Sequence, residues 1–408
     1  MDVILLQNSL HIGFNFDIGK NYQPEKYRIH LIVDKDGYNV IEDLQQEKLY
    51  ESITIAESFS FACLITKIKA IFLEKSFKCF TIVTNTEEAM PVCGRLRVHF
   101  DIDENDYAVY TDKDYMKKKL YDSPVHIPKH VCFYPKVFLA RGVPYLKEIT
   151  SVLGNYPLFA KPVNQCSSMN LEKFPDEASL IYWANEVCKQ GGVYEIDEFI
   201  SGVMYHCDSF IKNSKILFTQ VSQNSRPCYD FTLGMTKGTI ALPHDHVDHI
   251  ALSECTQQAL KSLGMPKGGV THMEFIKTSD GKFYFIEVAH RPPGVLIPKM
   301  YEKFIGVDII SANLLLQIDP TYTPHISKGS YAAWACFAKK PGTLTKTNQP
   351  EINSQYVLEW TSNIGDTFSS YPKHGRDYVG RILMWNDDFI QLKQDFDYIN
   401  DYVACQIN

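Results

Sequence analysis

The sequence predicts a mixed α/β protein, α/β with α+β character, on three observations. From residue 1 to about 108, short apolar runs alternate with helical patterns, the order that builds a parallel sheet. From Gly192 onward, strand-like runs follow one another across short turns such as Asn213-Ser214 and Asp280-Gly281. The composition is that of an ordinary globular chain: 408 residues, 45% hydrophobic and 22% charged, enough for two or three domains.

Residues 2–6, Arg28–Val33 and 80–83 read as strands, and residues 57–73 as a helix. No G-x-G-x-x-G follows the first strand, so nothing supports a dinucleotide site. Residues 111–121 read as a short helix with Asp112 as its N-cap, ended by Ser123-Pro124 and Ile127-Pro128. Residues 159–163 read as a strand entering a polar loop, 164–170. Residues 174–189 read as a helix, with Pro175 near its start and Gly191-Gly192 past its end. Residues 192–200, 205–211 and 215–221 read as strands. Residues 254–263 read as a helix stopped by Gly264, and Asp308 caps a helix reaching about Gln317. From Ser330 the text is strand-like, with turns at Pro341-Gly342, 363–366 and 373–375. There is no internal repeat and no low-complexity linker, so the parts are expected to pack closely.

The hairpin around Asp280-Gly281 is the most informative stretch. A two-residue turn there pairs Ser279 with Lys282, and counting back places Glu274 opposite Glu287 and His272 opposite Ala289. Facing carboxylates repel and destabilise a sheet unless a cation sits between them. Oxygen ligands at short separation suit Mg²⁺, which bridges protein carboxylates to phosphates. Arg291, stiffened by Pro292-Pro293, adds a fixed positive charge at the same end. The plainer alternative is a surface hairpin with two solvated acids.

Charge and cysteine usage narrow the class. With 41 basic against 48 acidic residues the net charge is −7, which argues against a nucleic-acid partner. The 11 cysteines are scattered, odd in number and free of C-x-x-C, as expected for reduced thiols in the cytoplasm. The first residues lack a positive, apolar leader pattern, and no run of about 18 apolar residues suggests a membrane span.

Five ordered stretches, between about residues 80 and 400, resemble the ATP-grasp superfamily. They are Asp112-Lys113, Ala160-Lys161-Pro162, the run from Glu195 to Gly202, His272-Met273-Glu274, and the run from Ile286 to Gly294. Within that superfamily the chain is most similar to carboxylate–amine ligases that join amino acids into dipeptides. The resemblance implies an ATP-grasp fold with an N-terminal Rossmann-like domain over 1–108, a central lid subdomain over 109–190, and a C-terminal subdomain with a β-rich end over 191–408. It implies ATP and Mg²⁺, with Mn²⁺ as the substitute ion. Lys113 and Lys161 would meet phosphates, Ser167 and Ser168 would lie in the phosphate-covering loop, and Glu198, Phe199 and Ile200 would hold adenine. Glu274 and Glu287 would bind the metal, and Arg291 would steady the transferred phosphoryl group. It also implies small-molecule carboxylate and amine substrates, no membrane partner, and a homodimer through the N-terminal part.

The chain departs from the family pattern in three places. The 164–170 loop has no glycine, Met204 stands where a ribose-binding Glu is usual, and Ala289 stands where a metal-binding Asn is usual. Asp208 is the candidate to replace the ribose contact, with a sheet-face acid as the alternative. His272 either contacts substrate or packs in its strand. Arg226 is a candidate for holding a substrate carboxylate, with a plain surface arginine as the alternative. Other readings keep the fold but change the reaction to a carboxylase-like or another metabolite ligase, or abandon catalysis for a nucleotide-binding pseudoenzyme. The H-x-H-x-D-H run at His244, His246, Asp248 and His249 resembles a zinc hydrolase box, though the text around it fits a loop better.

Overall fold

The computed structural model describes residues 1–8, 26–43, 47–74, 80–102, 107–165 and 170–408. Ser167 and Ser168 lie outside the described residues. At the N-terminus, β1 (Asp2–Gln7), β2 (Arg28–Val33), β3 (Ser52–Ile55) and β4 (Phe80–Thr84) form a parallel sheet in the order β3-β2-β1-β4. Alternation along β1 sends Val3 and Leu5 into one core and Ile4 and Leu6 into another. A strand covered on both faces needs such a continuous apolar run. The helix expected over 57–73 begins later, as Phe61–Glu74, because the Ser60 hydroxyl accepts the Cys63 amide and starts it there.

The second sheet contains β5 (His130–Phe133), β6 (Leu158–Pro162), β7 (Glu172–Phe174) and β8 (Tyr194–Glu198), antiparallel in the order β5-β8-β6-β7. Leu158, Ala160, Phe174 and Ile196 face a core of helices on one side. The intervening residues Phe159, Lys161, Glu195 and Asp197 therefore point to the other side. Phe174 ends β7 instead of starting a helix. That helix is Glu177–Gln190, and a capping box at Asp176 and Ser179 fixes its start. The expected division at 190 falls inside this sheet, since β8 lies beyond it.

The third sheet is antiparallel throughout. It takes β9 (Val203–Lys212), β10 (Lys215–Asn224), β11 (Lys237–Ala241), β12 (Gly268–Lys277), β13 (Phe283–Ala289) and β14 (Tyr331–Ala338). Past β15 (Gly342–Thr347), β16 (Gln355–Trp360) joins it, and past β17 (Thr367–Phe368), so does β18 (Tyr378–Asn386). The order is β13-β12-β9-β10-β11-β14-β18-β16, while β15 pairs with β17 and β19 (Cys405–Ile407) in a small separate sheet. The β-rich C-terminal end thus largely extends the central sheet. Among the described residues no helix is long and apolar enough to cross a membrane.

Glu274 faces Glu287 as the sequence predicts, but by a different route. The Thr278 amide donates to the Lys282 carbonyl at 2.9 Å, so the turn holds three residues, not two. Gly281, at φ +85°, supplies the left-handed conformation this turn requires. Phe275 consequently pairs with Phe285, one residue out of step, and a bulge at Ile286 restores the register before Glu287. The bulge lets two consecutive residues, Ile286 and Glu287, both line the same cavity. Strict alternation would forbid that.

Candidate active site

A cavity of about 260 Å³ opens between the polar face of the β5-β8-β6-β7 sheet and the eight-stranded sheet. Its apolar walls include Phe159, Phe199, Met204, Ile276 and Ile286, and Glu198 and Ile200 border them. Of the residues singled out in the sequence, Lys113, Lys161, Arg226, His272, Glu274, Glu287 and Arg291 also line it. Residues far apart in the chain thus meet in one chamber with an apolar slot at one side and charges at the other.

The positive charges are built in pairs. Asp112 caps the helix Lys113–Leu120 by accepting the Tyr115 amide, which aims Lys113 inward. The Lys113 ammonium donates to the Gln165 carbonyl at 2.7 Å and lies 3.1 Å from Glu287 Oε2. Burial opposes its charge, but Glu287 and Glu87 outweigh burial and hold its pKa above the usual lysine range. Lys161 behaves alike: burial is overcome by Asp197, Glu195 and Glu287, and its pKa is raised.

Between the lysines lies a buried cluster that sequence reasoning missed. Lys117, fully buried, donates to Glu195 and Asp197 at 2.7 Å each, and Lys161 lies 3.3 and 3.2 Å from the same two acids. Burial would raise the Glu195 pKa, but Lys117 and Lys161 hold it down at about 2. Burial, with repulsion from Glu195, pushes Asp197 the other way. The spacing contained a signal. Lys113 and Lys117 are four apart on a helix and Glu195 and Asp197 two apart on a strand, and each spacing puts both charges on one face.

On the opposite wall Glu274 and Glu287 present hard oxygen donors from adjacent strands, a set that fits Mg²⁺. Burial would raise the Glu287 pKa, but Lys113 and Lys161 lower it, so it is ready as an anion. Arg291 is not a free cation. Its Nε and Nη2 donate to Glu87 Oε2 at 2.8 and 2.6 Å, tying the segment after β4 to the cavity wall.

Asp208 does not reach the cavity, which corrects its reading as a ribose contact. It is fully buried, and both its oxygens are taken: His206 Nδ1 and Tyr301 hydroxyl on one, His272 Nδ1 on the other. It acts as a hub that orients two imidazoles. Burial would keep His272 neutral, but Asp208 outweighs it and raises the pKa to about 9, so His272 is cationic near neutral pH. Its Nε2 lies 3.7 Å from Glu274 Oε1. Arg226 borders the cavity with its guanidinium engaged by Asp401 and the Asn400 carbonyl.

The H-x-H-x-D-H run is not a metal box. It starts the helix Val247–Leu263, with the His246 side chain accepting the Asp248 amide. Asp248 instead accepts from Tyr205 and Lys277, and His244 contacts Gln220. The expected loop is thus a helix start. The three-residue group with metal-ligand spacing among the described residues is His206, Asp208 and His272, whose facing atoms already bond one another.

No protein-family model matches the chain. It is 25% identical over 281 residues to the L-arginine-specific L-amino acid ligase of Bacillus subtilis, a match spanning 65% of each chain and so less than two thirds of that relative's length. Its structure is similar to an L-amino acid ligase from Bacillus licheniformis, with a TM-score of 0.73 and 16% identity over 100% of this chain and 98% of that one. It is also similar to the biotin carboxylase domain of the Hydrogenobacter thermophilus 2-oxoglutarate carboxylase, with a TM-score of 0.62 and 14% identity over 100% and 90%. The chain therefore has the ATP-grasp fold.

Proposed function

We propose that this chain is an ATP-dependent carboxylate–amine ligase that joins amino acids through an acylphosphate. The observation that carries this reading is one cavity in which Glu274 faces Glu287, flanked by buried Lys113 and Lys161 and by Arg291. The apolar slot beside Glu198, Phe199 and Ile200 suits adenine, and the lysines suit its phosphates. Ser167 and Ser168 would cover them. Glu274 and Glu287 would hold Mg²⁺, with Mn²⁺ as the substitute, and the ion supplies charge neutralisation on the phosphate chain. A substrate carboxylate oxygen attacks the γ-phosphorus, forming the acylphosphate and releasing ADP. The amine then attacks the acyl carbon, the C–O bond breaks, and inorganic phosphate leaves.

Catalysis on this reading is positioning and charge stabilisation by Lys113, Lys161 and Arg291, with no side-chain nucleophile. The reading draws support from the name of the Bacillus subtilis relative, an amino acid ligase, and from the carboxylase domain, which was solved as a dimer with MgADP. It extends to a cytoplasmic homodimer built from the N-terminal part. The test is ADP and phosphate release from Mg·ATP against paired amino acids, with product masses read in the same wells. Release that requires two particular amino acids, with a product mass equal to their sum less water, is the expected result. Absence of nucleotide binding would overturn the reading.

A further inference from the structure

The buried cluster behind the cavity has an arrangement that goes beyond holding the fold together. Lys117 and Glu195 are fully buried and neither lines the cavity, whereas Lys161 and Asp197 both do. The helix Lys113–Leu120 carries two lysines about one turn apart. Lys113 enters the cavity, and Lys117 stands behind it against β8. Two acids two residues apart on β8, Glu195 and Asp197, are thus shared by two ammonium groups, one inside the cavity and one outside.

The sharing is unequal. Glu195 Oε1 and Asp197 Oδ2 each accept from Lys117 at 2.7 Å, and the same two oxygens stand 3.3 and 3.2 Å from Lys161. The remaining oxygens, Glu195 Oε2 and Asp197 Oδ1, are buried without a hydrogen-bond partner. Lys161 also feels Glu287 across the cavity, so it stands between the acid pair and the carboxylates of the opposite wall. Without Lys117, both acids would face Lys161 alone. A buried carboxylate short of a partner is costly, so the two would draw the Lys161 ammonium onto themselves and away from an incoming phosphate. With Lys117 in place they are neutralised from behind, and an ammonium with three donors can serve a ligand in front.

We propose that Lys117 is a positioning residue for nucleotide binding: by neutralising Glu195 and Asp197 from outside the cavity, it leaves the Lys161 ammonium available to the phosphates. The inference rests on the nucleotide-binding reading above. It sets the charge balance of the cluster, and not merely its packing, as the quantity that governs nucleotide affinity. Glu195 is the member to vary, because its pKa of about 2 makes it an anion at neutral pH and it does not touch the ligand space.

The test is calorimetric binding of a non-hydrolysable ATP analogue with Mg²⁺ to the full chain and to E195Q, K117M and the double variant K117M/E195Q, each checked for a folded melting transition. A charge-assisted hydrogen bond is worth roughly tenfold in affinity, so K117M should bind the analogue about tenfold more weakly than the native chain. E195Q, with one acid fewer to hold Lys161, should bind it more tightly, by up to about tenfold. The double variant, with one acid and one lysine removed, should return toward the native value. A merely structural cluster gives the opposite pattern, since each lost buried bond would weaken binding and the double variant would be worst. Weaker or unchanged binding by E195Q, or no recovery in the double variant, overturns the inference while native binding of the analogue upholds the nucleotide reading. If K117M does not fold, E195Q alone decides. Absence of analogue binding by the native chain overturns both.

Discussion

At the scale of the residue, the site is held by charges that neutralise one another. Lys117 is the clearest case, a fully buried ammonium between Glu195 and Asp197. Removing one partner of a buried ion pair typically costs about 3–5 kcal/mol, because the remaining charge stays buried. Lys117→Met is therefore expected to lower unfolding free energy by roughly 3 kcal/mol or more in urea titration, and Lys117→Arg to recover part of it. His249 gives a pH-dependent prediction. Burial, reinforced by His244 and His246, lowers its pKa from 6.5 to about 4. The folded chain keeps it neutral while the unfolded chain takes up a proton first, so its contribution is full above pH 6.5 and is lost as pH falls toward 4. Melting temperatures across that window should fall more for the native chain than for His249→Gln.

At the scale of the element, the caps and the hairpin decide where the site residues point. Asp308 accepts the Ile310 amide at 3.0 Å and the Ser311 amide at 3.3 Å, opening the helix Ile309–Ile318 that packs on β12. Asp308→Ala is expected to cost about 1 kcal/mol, read as a lower melting temperature with nucleotide affinity retained. Local signals such as Asp112, Asp308 and the paired glutamates were legible in the sequence because they act within a few residues. The Glu274–Glu287 pairing was reached through a two-residue turn, whereas the chain uses three and compensates with a bulge at Ile286. No periodicity encodes that bulge. The helix Val247–Leu263 was foreseen only from residue 254, because histidines are weak helix signals and His246 caps through an imidazole nitrogen.

At the scale of the whole molecule, the cavity exists because the β5-β8-β6-β7 sheet and the eight-stranded sheet face each other, and this was the least legible part. Lys113 meets Glu287, Lys161 meets Glu195, and Arg291 meets Glu87, over separations that no local pattern reports. The resemblance to a family assigned Lys113, Lys161, Glu274, Glu287 and Arg291 to one site, but gave none of these ion pairs, nor Glu87 and Lys117, nor the burial of Asp208 beneath His206 and His272. The Arg291–Glu87 ion pair ties the segment after the N-terminal parallel sheet to the cavity wall, and the Asn313–Asn85 hydrogen bond ties it to the helix Ile309–Ile318. Glu87→Gln should therefore lower turnover through a loosened Arg291, by less than Arg291→Met does, with ATP affinity compared in parallel to separate binding from chemistry.

The central claim is that the facing glutamates hold the ion through which this cavity uses ATP to join amino acids. Its most direct test is Mg²⁺-dependent ADP release with paired amino acids, measured for the native chain and for Glu287→Gln with equal melting temperatures. The account predicts release coupled to a product of summed mass less water in the native chain, and its loss in the variant; undiminished ligation by Glu287→Gln would contradict it.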